Sequence, residues 1–511
     1  MVFTSSVFLL LFLPLFLGIY HLIPPSRRTA WMLVASYLFY GWWRLDFLAL
    51  FVATTVFTYL VGRSLTLANE HQPVRARALL TLGVLGNLGT LAYFKYFNFG
   101  IESLDNLLIA LGGSGLGAWQ VLLPIGISFY VFQSVSYLVD SHRGDVTGDQ
   151  RFVDVAAYIA LFPQLIAGPI VRFKVLGPQL GQPRADFADF SAGSQRFMIG
   201  FCKKVLVADM VAPLADAAFA LDQPTLAEAW LGALAFGIQL FFDFSGYSDM
   251  AIGLARMMGL KLLENFAMPY RSRTITEFWL RWHVSLSRWL RDYLYIPIGG
   301  NRRGRRRTYL NLALVMLLGG LWHGAAWTFV AWGAWHGLLL IGERVLRERG
   351  VLRRIPAPLA VARTFLFVTI GWVTFRADGF APAVAMYRGL TGLAGVPLTP
   401  ELAWRIPLSA VAALVAGCLI AWFAPGRDVL SGSATTSGGV GATDSPTPAP
   451  SHAAAHAPNP VAARAGTPAA AHAAGSRAAI NLFTLGLIPI FLLGVLRTVA
   501  DSFSPFLYFQ F

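Results

Sequence analysis

Residues 227–258 read AEAWLGALAFGIQLFFDFSGYSDMAIGLARMM. About 20 predominantly apolar residues in helical form cross the hydrocarbon core of a bilayer. This stretch is longer than that and holds two carboxylates, Asp243 and Asp249, in its interior. Further apolar runs cover 7–24, 29–44, 46–63, 78–95, 119–139, 152–170, 194–219, 309–330, 331–345, 361–375, 406–424 and 479–497. The chain of 511 residues has room for roughly ten to twelve spans plus loops. Composition agrees: 56% of residues are hydrophobic, 13% are charged, and mean hydropathy is +0.58. Soluble domains carry about 25% charged residues, so a water-soluble enzyme is excluded. No glycine period or heptad run is present, and Cys202 and Cys418 are the only cysteines, which removes collagen, coiled coil and disulfide scaffold. The pattern predicts an all-α, polytopic membrane protein.

Net charge is +14. In a soluble protein that would raise nucleic acid as a partner. Here the basic residues lie between apolar runs, where the positive-inside bias of cytoplasmic loops accounts for them, and no nucleic-acid partner is expected. The first run, Val7 to Ile23, lacks a preceding basic residue and a small-x-small cleavage site, so it is expected to stay as a span. Arg27 and Arg28 follow it, which puts that loop in the cytoplasm and the N-terminus outside.

Two runs cannot be plain lipid-facing helices. Phe152–Ile170 contains Pro163, Gln164, Gly168 and Pro169, which interrupt helical hydrogen bonding. Broken backbone at membrane depth is tolerated only under protein or beside a wet cavity, so a re-entrant segment is expected. Thr274–Tyr295 has helical length and carries Glu277, Arg281, Arg288, Arg291 and Asp292. Each charge at the bilayer centre costs about 2.5–3.5 kcal/mol, so this stretch belongs at the cytoplasmic interface or in a protein-lined cavity. Five arginines follow in Gly300–Arg307. They read either as a cytoplasmic anchor or as a surface for a phosphorylated donor, because both need the same charge. Residues 426–478 turn to Ala, Pro, Ser, Gly, Thr and His, too poor in large apolar groups to fold. The chain therefore divides into a membrane core over 1–425, a low-complexity loop over 426–478, and a last span with an aromatic terminus over 479–511. No internal repeat of the transporter kind is visible.

Three histidines fall among tryptophans: His283 in Arg281-Trp-His283, His323 in Gly319-Gly-Leu-Trp-His-Gly324, and His336 in Trp335-His-Gly337. His323 lies about fourteen residues into the run 309–330, near mid-membrane at about 1.5 Å per residue. An ionisable residue there is a functional candidate by default. Uncharged imidazole accepts a proton, as a general base for a hydroxyl must, a role worth about 10²–10⁴ in rate. The competing reading is a structural histidine bonded within its helix. His323 and His336 are thirteen apart, about 220° around a helix, so they would not share a face and a metal site is not expected. Asp243 and Asp249 must face protein or water. They could position a histidine, bind substrate, or satisfy neighbouring backbone and arginine groups.

These motifs resemble the membrane-bound O-acyltransferase (MBOAT) family, within it the bacterial alginate O-acetyltransferase branch. The strongest match is Arg281-Trp-His-Val-Ser-Leu-Ser-Arg-Trp-Leu-Arg-Asp-Tyr-Leu-Tyr-Ile-Pro-Ile-Gly-Gly-Asn301, joined by Gly320-Leu-Trp-His-Gly324 and Trp335-His-Gly337. Supporting matches are Phe39-Tyr-Gly-Trp-Trp43, Lys95-Tyr-Phe-Asn-Phe99, Pro124-Ile-Gly-Ile-Ser-Phe129, Phe162-Pro-Gln-Leu-Ile-Ala-Gly-Pro169, Phe242-Asp-Phe-Ser-Gly-Tyr-Ser-Asp249 and Phe506–Phe511. The tract 426–478 departs from the family pattern.

The resemblance implies a ring of helices with re-entrant segments around a central tunnel, in the bacterial inner membrane. It places the family's intramembrane histidine on His323 and its second histidine on His283, and gives His336 no catalytic role. It also implies transfer of an acetyl group from a cytoplasmic thioester, acetyl-CoA, to an acceptor reached from the far side, with no permanently bound cofactor. Arg288, Arg291, Asn301 and Arg302 would suit the donor's phosphates. Expected partners are membrane lipid, a periplasmic acetyltransferase or esterase-like protein, and polysaccharide-secretion components. Acetylation of cellulose or peptidoglycan, or D-alanylation of teichoic acid, would use the same motifs. A polysaccharide or lipid-carrier transporter would ignore acetyl-CoA, and a secretion scaffold would need neither histidine.

Overall fold

The computed structural model describes residues 1–69, 72–117, 119–146, 148–351, 355–424 and 482–500. The tract 426–478, expected as an unfolded loop, and the aromatic terminus 506–511 lie outside the described residues. Among those described, every regular element is helical. The chain opens with α1 (Leu13–Leu22), α2 (Pro25–Gly41), α3 (Leu45–Asn69) and the long α4 (Pro73–Ala110). Next come α5 (Ile127–His142), α6 (Phe152–Ala160), the single turn α7 (Phe162–Leu165) and α8 (Phe173–Leu180). α9 (Phe187–Cys202) continues through a wide turn into α10 (Asp209–Phe219), and α11 (Leu226–Met257) follows. α12 (Ile275–Arg281) and α13 (Val284–Leu290) lead into a hairpin of α14 (Gly304–His323) and α15 (Trp327–Glu348). α16 (Ala357–Arg376), α17 (Phe380–Leu390), α18 (Pro400–Arg405), α19 (Leu408–Phe423) and α20 (Leu482–Ala500) complete the described chain.

Among the described residues, 4 helices are long and apolar enough to cross a membrane unaided: residues 45–68, α4, α11 and α16. That is fewer than the apolar runs alone suggest, because several runs are shorter, carry charge at one end, or are broken.

α11 sits at the centre. A capping box between Thr225 and Glu228 starts it, and nearly all of its residues are buried. α9 packs on it with backbones almost touching. A methyl on Gly193 would stand 2.6 Å from the Gly253 carbonyl oxygen, and one on Gly200 would stand 2.5 Å from that of Gly246. Each helix thus offers two glycines seven residues apart, about 10 Å along its axis, forming the small-residue seam that lets membrane helices approach closely.

Three breaks shape the site. The expected re-entrant segment is broken at Leu161, between α6 and α7, and residues 154–171 are all buried. Its backbone finds side-chain partners instead: the Phe162 N–H donates to Ser36 Oγ at 3.0 Å and Ile170 N–H to Ser285 Oγ at 2.9 Å. Thr274–Tyr295 is not one helix. It splits at Trp282–His283, where His283 takes a left-handed conformation at φ 45°. The run 309–330 is broken too. His323 is the last residue of α14, and α15 begins at Trp327. The glycines explain that turn-back: Cβ atoms on Gly320 and Gly333 would stand 2.3 and 2.4 Å from carbonyl oxygens of the facing helix. His323 is therefore placed by a helix end rather than by depth along a continuous span.

Candidate functional site

His323 is 5% exposed and lines a cavity of about 330 Å³ together with Lys95, Ser128, Gly126, Trp43 and Trp322. Its imidazole is boxed edge-on by Trp322 and Trp332, both at 5.1 Å between ring centroids, and by Phe375 at 5.4 Å. Edge-to-face contacts fix ring orientation. An adjoining apolar cavity of about 400 Å³ shares Trp43, Ile125 and Ile166 with the first. The larger space lacks ionisable side chains in its lining apart from Tyr40, whereas the smaller one holds Lys95 and His323.

α14 ends in the chamber, and its last carbonyls must find partners outside the helix. The Gly324 N–H closes onto Gly320 O at 3.3 Å. Two neighbours on α4 supply the rest. Tyr96 OH donates to Leu321 O at 2.9 Å, and Lys95 Nζ donates to Trp322 O at 2.5 Å and to His323 O at 3.2 Å. The hinge that carries His323 is thus tied to a helix more than two hundred residues away in sequence.

His283 is fully buried and is absent from the lining of the His323 cavity. The Trp322 indole contacts both imidazoles, with its centroid 6.0 Å from that of His283. His283 Nδ1 lies 3.2 Å from Asn265 Oδ1. The same oxygen accepts from the Ser285 N–H at 3.2 Å and from Ser285 Oγ at 2.9 Å, while Asn265 Nδ2 donates to Ser248 Oγ at 3.2 Å. A carbonyl oxygen only accepts, so Nδ1 carries the proton and Nε2 is the accepting nitrogen. Asn265 also fixes the left-handed His283 backbone through a bond from Val284 N–H to Asn265 O at 3.0 Å. Replacing Asn265 with alanine removes the partner of several buried groups, each worth about 1–3 kcal/mol when orphaned. A clear drop in thermal unfolding temperature is expected for the Asn265→Ala protein in detergent.

The helical-wheel separation of His323 and His336 does not apply, since the chain turns back between them. Both rings pack on Trp332, His336 at 4.8 Å. His336 is fully buried against Trp332 and Trp279. The two carboxylates of α11 are held by cations of α9 and the turn after it. Asp243 pairs with Lys204 at 2.7 Å, and Asp249 with Arg196 and with Lys203 at 2.7 Å. Of the readings open for them, satisfaction of buried cations is what the geometry presents.

Arg288 and Arg291 close the segment after His283. Arg291 pairs with Asp292, which also binds Arg172, and Arg143 and Arg172 lie over the Tyr293 ring. Asn301 and Arg302 stand exposed on the next turn. All four residues are on the stretch that runs from His283 into α14.

Sequence reasoning named Lys95 only within a supporting motif, without its contact to α14, and missed Asn265. Lys95 did leave a signal, a cation closing the apolar run 78–95. Asn265 left none, being an ordinary residue of a short connection.

The family model for the membrane-bound O-acyltransferases matches residues 109–373, more than half of the chain. This chain belongs to the membrane-bound O-acyltransferase family. Among similar proteins, a probable alginate O-acetylase AlgI of Azotobacter vinelandii is 52% identical over 76% of this chain and 78% of its own length. A protein of the same description from Pseudomonas aeruginosa is 51% identical over 76% of this chain and 75% of its own. The peptidoglycan O-acetyltransferase of Helicobacter pylori is 36% identical over 78% and 81%. The protein is a membrane-embedded O-acyltransferase, and the matched span includes His323, His283 and the whole α14–α15 hairpin.

Proposed function

We propose that this O-acyltransferase moves an acetyl group from cytoplasmic acetyl-CoA across the bacterial inner membrane for O-acetylation of an exported polysaccharide, alginate above all. The observation that carries the reading is His323 at a helix end, facing a cavity large enough for a thioester and a hydroxyl to meet. The imidazole takes the proton of the acceptor hydroxyl, and the oxygen attacks the thioester carbonyl. Trp322, Trp332 and Phe375 hold the ring in place for this. Arg288, Arg291, Asn301 and Arg302 would receive the donor's phosphates, with arginine suited to bidentate phosphate contacts. No permanently bound cofactor enters the scheme. A periplasmic acetyltransferase or esterase-like partner and the secretion machinery would take the acetyl group onward.

Relatives named for alginate at 50–52% identity support that polymer over peptidoglycan, whose relative stands at 36%. The test is direct. Purified protein in lipid nanodiscs, given acetyl-CoA labelled in the acetyl group, is expected to release free thiol and to pass label to an alginate hydroxyl or to the periplasmic partner. Labelled thioester that stays intact, in preparations from cells whose polymer is acetylated, would rule out this donor.

A further inference from the structure

The carbonyl oxygen of the thioester gains a full negative charge as the acceptor adds, and the mechanism so far gives that charge no partner. We propose that Lys95 is a catalytic residue that stabilises this oxyanion, an inference that rests on the acyl-transfer reading of the His323 chamber.

Lys95 is only 7% exposed, yet it lines the same cavity as His323. Its ammonium has three N–H donors and no acceptor capacity. Two are committed to the carbonyls of Trp322 and His323, at 2.5 and 3.2 Å. The third reaches Ser128 Oγ at 3.4 Å, beyond the usual range for such a bond. Among the described residues Lys95 forms no ion pair; its ammonium is met by the two carbonyl dipoles and by the Trp322 ring face, 5.9 Å from Nζ. A buried cation with one loosely used donor, on a chamber wall it shares with the base, suits an oxygen that becomes negative only during reaction. The first turn of α5 adds to the field. Gly126, Ile127 and Ser128 line the chamber, so the positive end of a sixteen-residue helix faces it as well.

In the step itself, the acceptor oxygen forms the new C–O bond as its proton passes to His323. The carbonyl π pair moves onto oxygen, where the third Lys95 N–H meets it in place of Ser128. That pair then re-forms C=O, the C–S bond breaks, and the departing thiolate takes the proton from His323. Charge and protons balance within the chamber.

The test uses the full-length protein in nanodiscs, with acyl-ester formation followed from acetyl-CoA or, if the wild type takes another acyl thioester, from that donor. Failure of the donor reading then shows in the wild type, and failure of the Lys95 assignment only in the variants. Lys95→Gln keeps amide N–H groups for the α14 carbonyls but removes the charge. Its kcat is expected to fall about 10²–10³-fold, with KM within a few fold and thermal unfolding near that of the wild type. Lys95→Arg keeps the charge and is expected to stay within about tenfold of wild-type kcat. Wild-type kcat in Lys95→Gln, or a loss in Lys95→Arg as deep as in Lys95→Gln, overturns the proposal. Lys95→Cys gives an independent arm should the amide variant not accumulate. Aminoethylation of that cysteine restores an ammonium and is expected to recover turnover, whereas a neutral methylthio group is not. Equal recovery by the neutral group also overturns the proposal.

Discussion

Changing His323 to alanine is expected to abolish acyl transfer while the protein still accumulates and inserts in the membrane. A positioned general base contributes about 10²–10⁴ in rate, and among the described residues no second imidazole lines the cavity. His283 is the nearest candidate by motif, but the Trp322 indole contacts both rings, and His283 faces Asn265 rather than the cavity. The substitution also removes a ring from the box of Trp322, Trp332 and Phe375, so alanine costs packing as well as chemistry. Comparing His323→Ala with His323→Gln separates the two effects, because glutamine fills the box but is no base at neutral pH. Both variants should lack activity, and the glutamine form should unfold nearer the wild-type temperature. Polymer acetyl content measured in cells carrying either variant decides the matter. Acetylation that persists would remove His323 from the mechanism.

The second large effect concerns stability. Lys204 is 2% exposed and binds Asp243 at 2.7 Å and Asp209 at 2.5 Å. Removing one partner of a buried ion pair costs about 3–5 kcal/mol, because the remaining charge stays buried. Lys204→Met should therefore unfold at a markedly lower temperature in detergent, or fail to accumulate. Neutralising the carboxylates in the same background, with Asp209→Asn and Asp243→Asn, should restore much of the loss, since well-packed neutral groups often replace buried pairs without penalty. Unfolding measured by intrinsic tryptophan fluorescence provides the comparison. If the triple variant unfolds as easily as Lys204→Met, the two aspartates serve something other than charge balance. Recovery in the triple variant would show that Asp209 and Asp243 act by balancing the Lys204 charge.

The all-helical membrane class was legible because it depends on composition and run length, which are properties of sequence alone. The broken segment at 152–170 was legible as well, since Pro163 and Pro169 each remove a helical hydrogen bond within one short apolar run. The breaks at His283 and after His323 were not. Nothing local ends a helix at Trp282; the left-handed His283 is held by Asn265, and α14 turns back where Gly320 and Gly333 let two backbones meet. Run length therefore extended both helices through the points that matter, and the angle between His323 and His336 inherited that error. The candidate base was visible as an ionisable residue in an apolar run. Its cap was not, because Lys95 and Tyr96 reach α14 only once the fold has brought α4 beside it. Long-range tertiary contact, rather than weak local signal, is what separates the two cases.

The seam between α9 and α11 bears on how this protein can change over generations. Its four glycines leave no room for even one added carbon, so single-nucleotide replacements there meet a neighbouring main chain at once. Many exposed apolar positions, such as Leu10, Leu60, Leu85 and Leu366, offer open space to a different hydrocarbon side chain. Inherited variation should therefore collect on the rim of the molecule and spare codons 193, 200, 246 and 253. Neither helix can slip lengthwise past its mate without driving side chains into that gap, so the pair travels as one piece in any motion that admits a substrate.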